Sequence, residues 1–364
     1  MTERQKIVVA MSGGVDSSCV AALLVEQGHE VIGMTMQLYD SGVDVPSRKG
    51  ACCAGQDIYD AKRVAAKLGI PHYVLNYQSR FKEDVIQDFA DSYARGETPI
   101  PCIKCNQTVK FRDLLDQSRR LGADHLATGH YIQRLETENG VELHRGVDED
   151  KDQSYFLYAT KKDQLDDLRF PLGSQSKAVT RELAARFGLS VADKPDSQDI
   201  CFVHDGYAKV VQKYRSDALK PGNIIDTKGV VLGQHQGIIF YTIGQRRGLG
   251  LGGFEEPMYV VAVNPERSEV IVGTQEHLAV ESVLLDELNW LIKPPTTERK
   301  IQVQFRSRMQ PIPAVLSYDT EQAEVTFTEP QFGVSPGQAC VFYDDSRVLG
   351  GGTMRQTVRI LKEQ

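Results

Sequence analysis

The sequence predicts an α/β protein: a doubly wound parallel sheet, then a small β-rich central domain and a C-terminal β-barrel. Three observations carry that prediction. The β-branched run Lys6-Ile7-Val8-Val9-Ala10 reads as a buried parallel strand. The chain then turns through Gly13-Gly14 into a helical segment bearing Val20, Ala21, Leu23 and Leu24, which Gly28 closes as a C′ residue. Glu30 to Leu38 reads as the next strand, completing a β-α-β start with its ligand site at the carboxyl ends of the strands. Near Phe202 to Gly206 the alternation of helix and strand stops, and the chain becomes rich in strands and turns.

The elements follow in order. Residues 39–50 are polar and read as a mobile loop. Cys52-Cys53 precede a helix over 56–68 and read as a helix-entry feature, since adjacent side chains diverge. Residues 70–75 form a strand and 81–93 a helix with Val85, Ile86, Phe89 and Ala90 inward. Thr98 to Asn106 reads as a loop stiffened by Pro99 and Pro101. It carries Cys102-Ile103-Lys104-Cys105, and a helix over 111–121 follows. His125 to Tyr131 is a strand ending on a Gly-His turn, and Lys151 to Leu157 opens another helix. Later, Pro221–Ile224 and Thr227–Gly229 read as turns, and Ile238–Tyr241 and Met258–Val263 as strands. Alternating runs at 300–306, 314–318, 323–328 and 338–343 predict a small antiparallel barrel or sandwich. The expected domains are 1–205, 206–280 and 281–364.

The 364 residues suffice for two or three domains, and 41% hydrophobic with 25% charged residues is a globular composition. No apolar run approaches the ~18 residues of a membrane span. Met1-Thr2-Glu3-Arg4 leads straight into the first strand with no signal-peptide pattern, which predicts a cytoplasmic protein. A net charge of −7 means that a nucleic acid must be met by local basic patches. Seven cysteines without an export signal point to thiol or metal chemistry more than to a disulfide scaffold. A zinc site is the weaker metal reading, because the Cys-x-x-Cys lacks a second nearby pair. Gly248 to Gly253 matches G-x-G-x-x-G literally, but no helix pattern follows, so it reads as a basic glycine loop.

The loop Ser12-Gly13-Gly14-Val15-Asp16-Ser17 has no Lys–Ser/Thr pair after its last glycine, so it is not a Walker A loop. It resembles the loop of N-type ATP pyrophosphatases, which split ATP between the α- and β-phosphates and adenylate a substrate. The residues suit that chemistry. Ser12, Ser17 and Ser18 hydroxyls with loop amides can hold the leaving pyrophosphate, and Asp16 can help place Mg²⁺. The bland alternative is a glycine turn with Asp16 or Ser17 as N-cap. Met36 suits an adenine face or a core equally well, and His130 is a substrate neighbour or a structural histidine.

Taken together, the motifs resemble the tRNA-specific 2-thiouridylase family from end to end. They are the Ser-Gly-Gly-Val-Asp-Ser-Ser loop, Cys105-Asn106 with Lys110-Phe111, Ala127-Thr128-Gly129-His130-Tyr131, Lys151-Asp152-Gln153-Ser154-Tyr155, Asp196-Ser197 with Ile200-Cys201-Phe202, and Tyr241-Thr242-Ile243-Gly244-Gln245-Arg246. The resemblance implies that ATP adenylates the C2 oxygen of wobble uridine 34 in tRNA. Sulfur delivered by a relay protein as a persulfide then displaces AMP and leaves 2-thiouridine. By position, Cys105 would be the nucleophile and Cys201 the persulfide carrier. Ala10, Met11, Ser12, Gly13, Gly14, Val15, Asp16, Ser17, Met36 and Gly129 would bind ATP. Ile100-Pro101-Cys102 would line the target base, and His130, Lys151, Asp152, Gln153, Arg306, Ser307 and Gln338 would meet tRNA.

The chain departs from the family where many members carry Asn-Pro-Asp, having Ile100-Pro101-Cys102 instead. Two readings of the sulfur site follow: a persulfide/disulfide pair with Cys102 as a spare thiol, or a [4Fe–4S] cluster on Cys102, Cys105 and Cys201 with one open iron. Other functions compatible with parts of the pattern are another N-type synthetase, which needs no thiols, and a non-catalytic RNA-binding module with a β-barrel tail.

Overall fold

In the computed structural model, residues 3–39, 55–196, 199–203 and 206–360 are described. Cys52, Cys53 and the predicted loop beyond Tyr39 lie outside them. The chain forms two compact units, one of Met1–Val85, Cys102–His204 and Ser346–Val348, the other of Ile86–Pro101, Asp205–Asp345 and Leu349–Gln364.

The first unit is built on a parallel sheet of β1 (Lys6–Ala10), β2 (Glu30–Gln37), β3 (His72–Asn76), β4 (His125–Ala127) and β7 (Leu168–Arg169), in the order β3-β2-β1-β4-β7. β1 pairs in parallel with β2 on one side (Ala10 opposite Met34) and with β4 on the other (Val9 opposite Ala127). The strand order therefore reverses between β1 and β4, and the crevice beyond their carboxyl ends is where such sheets bind ligands. Helices α1 (Val15–Glu26) and α2 (Gly55–Leu68) pack Val15, Val20, Leu24, Ala61 and Val64 onto Ile7, Val9 and Ala127. A hairpin of β5 (Ile132–Thr137) and β6 (Gly140–Arg145) follows β4. Its Asn139-Gly140 turn, with Gly140 at φ +98°, is a hairpin signal that the sequence reading passed over.

Four readings of local structure are corrected. The Cys-x-x-Cys segment is helix from Pro101 to Cys105 rather than loop. Proline fits the first helical turn, where its missing N–H has no partner to lose. This helix widens into a nine-residue π-helical stretch, Asn106–Leu114, before tightening again over Leu115–Arg120. The predicted helix 81–93 is likewise interrupted by a π-helical stretch, Lys82–Gln87. Ile238–Tyr241 is not a strand: Ile238–Phe240 make a 3₁₀ turn that buries both isoleucines, since a short apolar run fits either state.

The second unit holds a four-stranded sheet and a barrel. β8 (Gly222–Asp226), β9 (Val231–His235), β10 (Tyr259–Asn264) and β11 (Glu269–Gly273) are ordered β10-β11-β8-β9. Residues 221–224, read as a turn, thus enter a strand. Gly248–Gly253 is irregular and no helix follows it before β10. β12 (Val280–Trp290), β13 (Arg299–Gln304), β14 (Ile312–Tyr318), β15 (Ala323–Gln331), β16 (Ala339–Asp344) and β17 (Arg347–Arg359) run β12-β15-β14-β13-β16-β17, and β12 pairs with β17 to close six strands into a barrel. Val283, Leu285, Val303, Phe305, Leu316, Val325, Phe342 and Met354 fill its interior. The sequence hides β17 because Gly350-Gly351-Gly352 looks like a loop. The glycines answer to close packing instead: a Cβ on Gly350 would stand 2.3 Å from the Asn289 carbonyl oxygen, and one on Gly352 2.8 Å from that of Asp286. Among the described residues no helix is long and apolar enough to cross a membrane.

Candidate functional site

The turn after β1 meets the turn after β4 at the switch point of the sheet. Gly13 takes φ +75°, and a Cβ there would fall 2.1 Å from the Asp57 carbonyl oxygen. Gly14 is the N-cap of α1 and has no side chain to cover the helix N-terminus. Ser17 Oγ accepts the Ser12 amide at 3.1 Å and lies 3.3 Å from Ser12 Oγ. Ser18 Oγ donates to the Gly14 carbonyl at 2.8 Å. The loop is thus preformed, with a helix N-terminus behind it, which suits a phosphate group. Gly129 closes the other wall: a Cβ on it would be 2.8 Å from the Ser17 amide nitrogen and 3.0 Å from Asp16 Cβ. The predicted residues Ala10–Ser17 and Gly129 therefore come together. Met36 is buried in β2, opposite Leu75.

Asp16 is gripped from the side. Lys177 Nζ lies 2.6 and 2.8 Å from its two oxygens, and Tyr131 OH donates to it at 3.0 Å. Lys177 also pairs with Asp196 at 2.8 Å, which Lys151 (2.8 Å) and Arg181 (3.1 Å) join. Burial alone would raise the Asp196 carboxyl; the hydrogen bonds from Lys151 and Lys177 outweigh it and hold it down at about 2. Lys194 reaches Asp57 (2.6 Å), Asp60 (2.7 Å) and the Gly13 carbonyl (2.9 Å). Burial lowers the Lys194 ammonium, and its two carboxylate partners raise it further than burial lowers it. The sequence reading missed Lys177, Arg181 and Lys194 because single basic residues far along the chain carry no spacing signal; Lys151, Asp196 and Tyr131 of the same network lie in the motifs it did single out.

The remaining predicted residues of this unit are placed as follows. His130 Nδ1 is 2.8 Å from Thr128 Oγ1, and its ring meets Phe111 and Phe170 edge to face. Burial, with Lys110 adding to it, pushes its imidazole well down, so the ring is neutral at neutral pH. Asp152 is engaged internally: it pairs with Arg145 at 3.1 Å and accepts the Gly146 amide and the Ser154 amide and hydroxyl. Gln153 Oε1 accepts the Tyr131 amide. Cys102 is exposed and Cys105 buried on the same short helix. Asn106 Nδ2 ties that helix to the Phe156 carbonyl at 3.1 Å. Cys201 is partly buried, and its neighbour Phe202 packs edge-on against Phe81 at 5.7 Å.

The second unit contains Ile100, Arg306, Ser307 and Gln338. Arg306 and Gln338, far apart in sequence, line one cavity of about 450 Å³ with Thr98, Thr242, Gly244 and Ser335. Gly244 (φ +85°) donates its amide to the Val260 carbonyl and forms part of that wall. Arg306 is exposed, hydrogen-bonds the Phe332 carbonyl and lies over the Phe305 ring.

Among the described residues no three His, Cys, Asp or Glu side chains are grouped to hold a metal ion. Cys102, Cys105 and Cys201 as they stand therefore do not fit the three-cysteine cluster. Mg²⁺ asks for less, one or two carboxylates beside substrate phosphates, and Asp16 fits that need.

The glycine loop at the switch point and the two β modules define a class, the HUP-domain nucleotide-loop proteins with a barrel tail. Family models agree in all three parts: the tRNA methyl transferase HUP domain matches residues 5–205, the tRNA methyl transferase PRC-barrel domain 208–274, and the aminomethyltransferase beta-barrel domain 280–354. A tRNA-specific 2-thiouridylase MnmA from Rhodospirillum centenum is 59% identical over 356 residues, 95% of this chain and 91% of its own. One from Rickettsia africae is 55% identical over 361 residues, 98% of both chains. The chain belongs to the tRNA-specific 2-thiouridylase MnmA family. A solved NMN synthetase from Francisella tularensis aligns over 58% of this chain and 77% of its own at 18% identity, with a TM-score of 0.33, too distant to inform the site.

Proposed function

We propose that this protein is a tRNA-uridine 2-sulfurtransferase that uses ATP and Mg²⁺ to convert uridine 34 of tRNA to 2-thiouridine. One observation carries the reading of the first step: the Ser12–Ser17 loop and Gly129 are pressed together at the sheet's switch point, with Asp16 at the opening helix. Loop amides and the hydroxyls of Ser12 and Ser17 hold the phosphates, Asp16 helps to hold Mg²⁺, and pyrophosphate leaves as the C2 oxygen of uridine takes the adenylate. Met36 belongs to the adenine side of the site. The uracil C2 carbonyl is a poor electrophile, and adenylation makes its oxygen a leaving group.

Cys201 carries the incoming sulfur as a persulfide received from a relay protein, and Cys105 is the nucleophile. The terminal persulfide sulfur attacks C2 and AMP departs. Cys105 thiolate then attacks Cys201 Sγ, breaks the S–S bond, leaves sulfur on C2 and forms a disulfide that an external thiol reduces. Cys102 is a third thiol near the start of the same helix as Cys105. Ile100, Pro101, His130, Lys151, Gln153, Arg306, Ser307 and Gln338 contribute tRNA contacts, while Asp152 acts by holding its turn. A single-stranded anticodon base is cheap to extrude into a pocket. A cytoplasmic location accords with a tRNA substrate.

The test is mass spectrometry of nucleosides from tRNA incubated with the protein, Mg-ATP, a persulfide-level sulfur donor such as polysulfide, and a reducing thiol, with Cys105→Ser alongside. 2-Thiouridine at position 34, absent in the variant, supports the reaction. Neither thiolation nor tRNA-dependent pyrophosphate release, from folded protein and competent tRNA, would sink it.

A further inference from the structure

The nucleotide loop is tied at two points to the segment that leads to Cys201. Lys194 Nζ donates to the Gly13 carbonyl at 2.9 Å while pairing with Asp57 and Asp60. Two residues on, Asp196 receives Lys177, Lys151 and Arg181. Lys177, itself buried, is held at 2.6 Å by Asp16 and at 2.8 Å by Asp196. One ammonium thus bridges two carboxylates. One carboxylate opens the nucleotide-loop helix, and the other stands five positions before Cys201.

We propose that Asp196 is a positioning residue that couples occupancy of the nucleotide loop to the placement of Cys201, acting through Lys177. This rests on the reading of the loop as the ATP site and of Cys201 as the sulfur carrier. The physics is a competition for one cation. An ammonium has three donors, and Lys177 divides them between Asp16 and Asp196. A triphosphate brings several negative charges beside Asp16, and Asp16 turned towards Mg²⁺ no longer needs Lys177. Lys177 is then shared between phosphate oxygens and Asp196. Its pull on Asp196 changes, and Asp196 is on the chain that carries the thiol. The second tie, from Lys194 to the Gly13 carbonyl, transmits any turn of the loop peptide to the same segment. Lys151 and Arg181 keep Asp196 compensated while Lys177 moves. The consequence for the reaction is order: the sulfur carrier takes its working position once the nucleotide is in place, so the persulfide is not spent on an unactivated base.

The experiment uses the whole protein. Iodoacetamide labelling of the Cys201 peptide is timed by mass spectrometry with and without Mg²⁺ and α,β-methylene-ATP, which cannot be cleaved between those phosphates. The buried Cys19 and Cys340 serve as internal references. In the wild type the nucleotide should change the Cys201 labelling rate by about fivefold or more, the lower end of ordinary site-to-site coupling. In Asp196→Asn the protein still binds the nucleotide but that response collapses to less than about twofold, and Asp196→Glu restores part of it. A wild-type rate indifferent to nucleotide, or an Asp196→Asn rate that responds as the wild type does, overturns the proposal. Should Asp196→Asn fail to fold, Lys177→Gln, which removes the ammonium shared by Asp16 and Asp196, is read instead at saturating nucleotide. A weakened response supports the coupling and an unchanged one refutes it. Nucleoside analysis of the wild type is kept separate. A nucleotide response without any 2-thiouridine would refute the functional reading and leave the coupling standing.

Discussion

Gly129→Ala tests the site at its tightest point. The backbone at Gly129 is ordinary, so alanine brings steric contact and no conformational strain. Its Cβ would sit 2.8 Å from the Ser17 amide nitrogen, 3.0 Å from the Asp16 carbonyl carbon and 3.0 Å from Asp16 Cβ. Ordinary contact begins at 3.4 Å, so one wall must retreat by roughly 0.6 Å. Two of those atoms are backbone at the first turn of α1 and cannot rotate aside. Overpacking of this kind costs about 1–3 kcal/mol. A shift near 0.5 Å is also about the tolerance of a preorganised site, and ~1 Å can cost 10²-fold in rate. The expected result is therefore a fall in kcat/KM for ATP of roughly 10- to 100-fold. It is measured as tRNA-dependent pyrophosphate release against ATP concentration, beside a melting curve. Gly252→Ala, where a Cβ meets nothing within 4 Å, is the control and should leave stability within about 0.5 kcal/mol. Wild-type kcat/KM and Tm in Gly129→Ala would refute the packing of this turn against the nucleotide loop.

Three further results are expected. The Asp196 carboxyl, held at about 2 against an ordinary 3.8, contributes stability that is complete above pH 4 and is lost as pH falls towards 2. Allowing for its partial exposure, this amounts to about 1–2 kcal/mol, and acid-melting curves of Asp196→Asn should be flatter than wild type across that window; parallel curves would contradict the ion-pair assignment. Cys201→Ser should retain tRNA-dependent pyrophosphate release and lose thiolation, whereas Cys102→Ser, altering an exposed thiol, should keep thiolation within about tenfold; equal losses in both would place the sulfur chemistry elsewhere. Arg306→Ala should weaken tRNA binding and reduce the slope of log K against log salt by about one, read by filter binding at several salt concentrations; an unchanged slope would remove Arg306 from the phosphate contacts.

Local chemistry was legible in the sequence where a pattern is self-contained. The Lys6–Ala10 run, the double glycine and the Val20–Leu24 periodicity sufficed for β1, its turn and α1, because a buried strand and a glycine turn are specified by neighbours in sequence. The same holds for the alternating barrel strands. Other elements depend on partners that sequence does not display. Gly350 and Gly352 belong to a strand because β12 approaches too closely for a side chain. Ile238 and Ile239 turn into a 3₁₀ helix because burial, satisfied by either conformation, was the one thing their apolar run demanded. The helix that begins at Pro101 looked like a stiff loop because proline marks both.

The sequence by itself determined the nucleotide loop, the cysteines and the three-part architecture, since each is written in short motifs or local periodicity. Only the tertiary structure decided which charges face one another. Asp16, Lys177 and Asp196 meet across 161 and 19 residues of chain, and Lys194 finds Gly13 across 181. Coulomb attraction and hydrogen bonding act over a few ångströms of space and are indifferent to separation along the chain. A lone lysine has no signature until the parallel sheet and its crossovers bring the carboxylates to it.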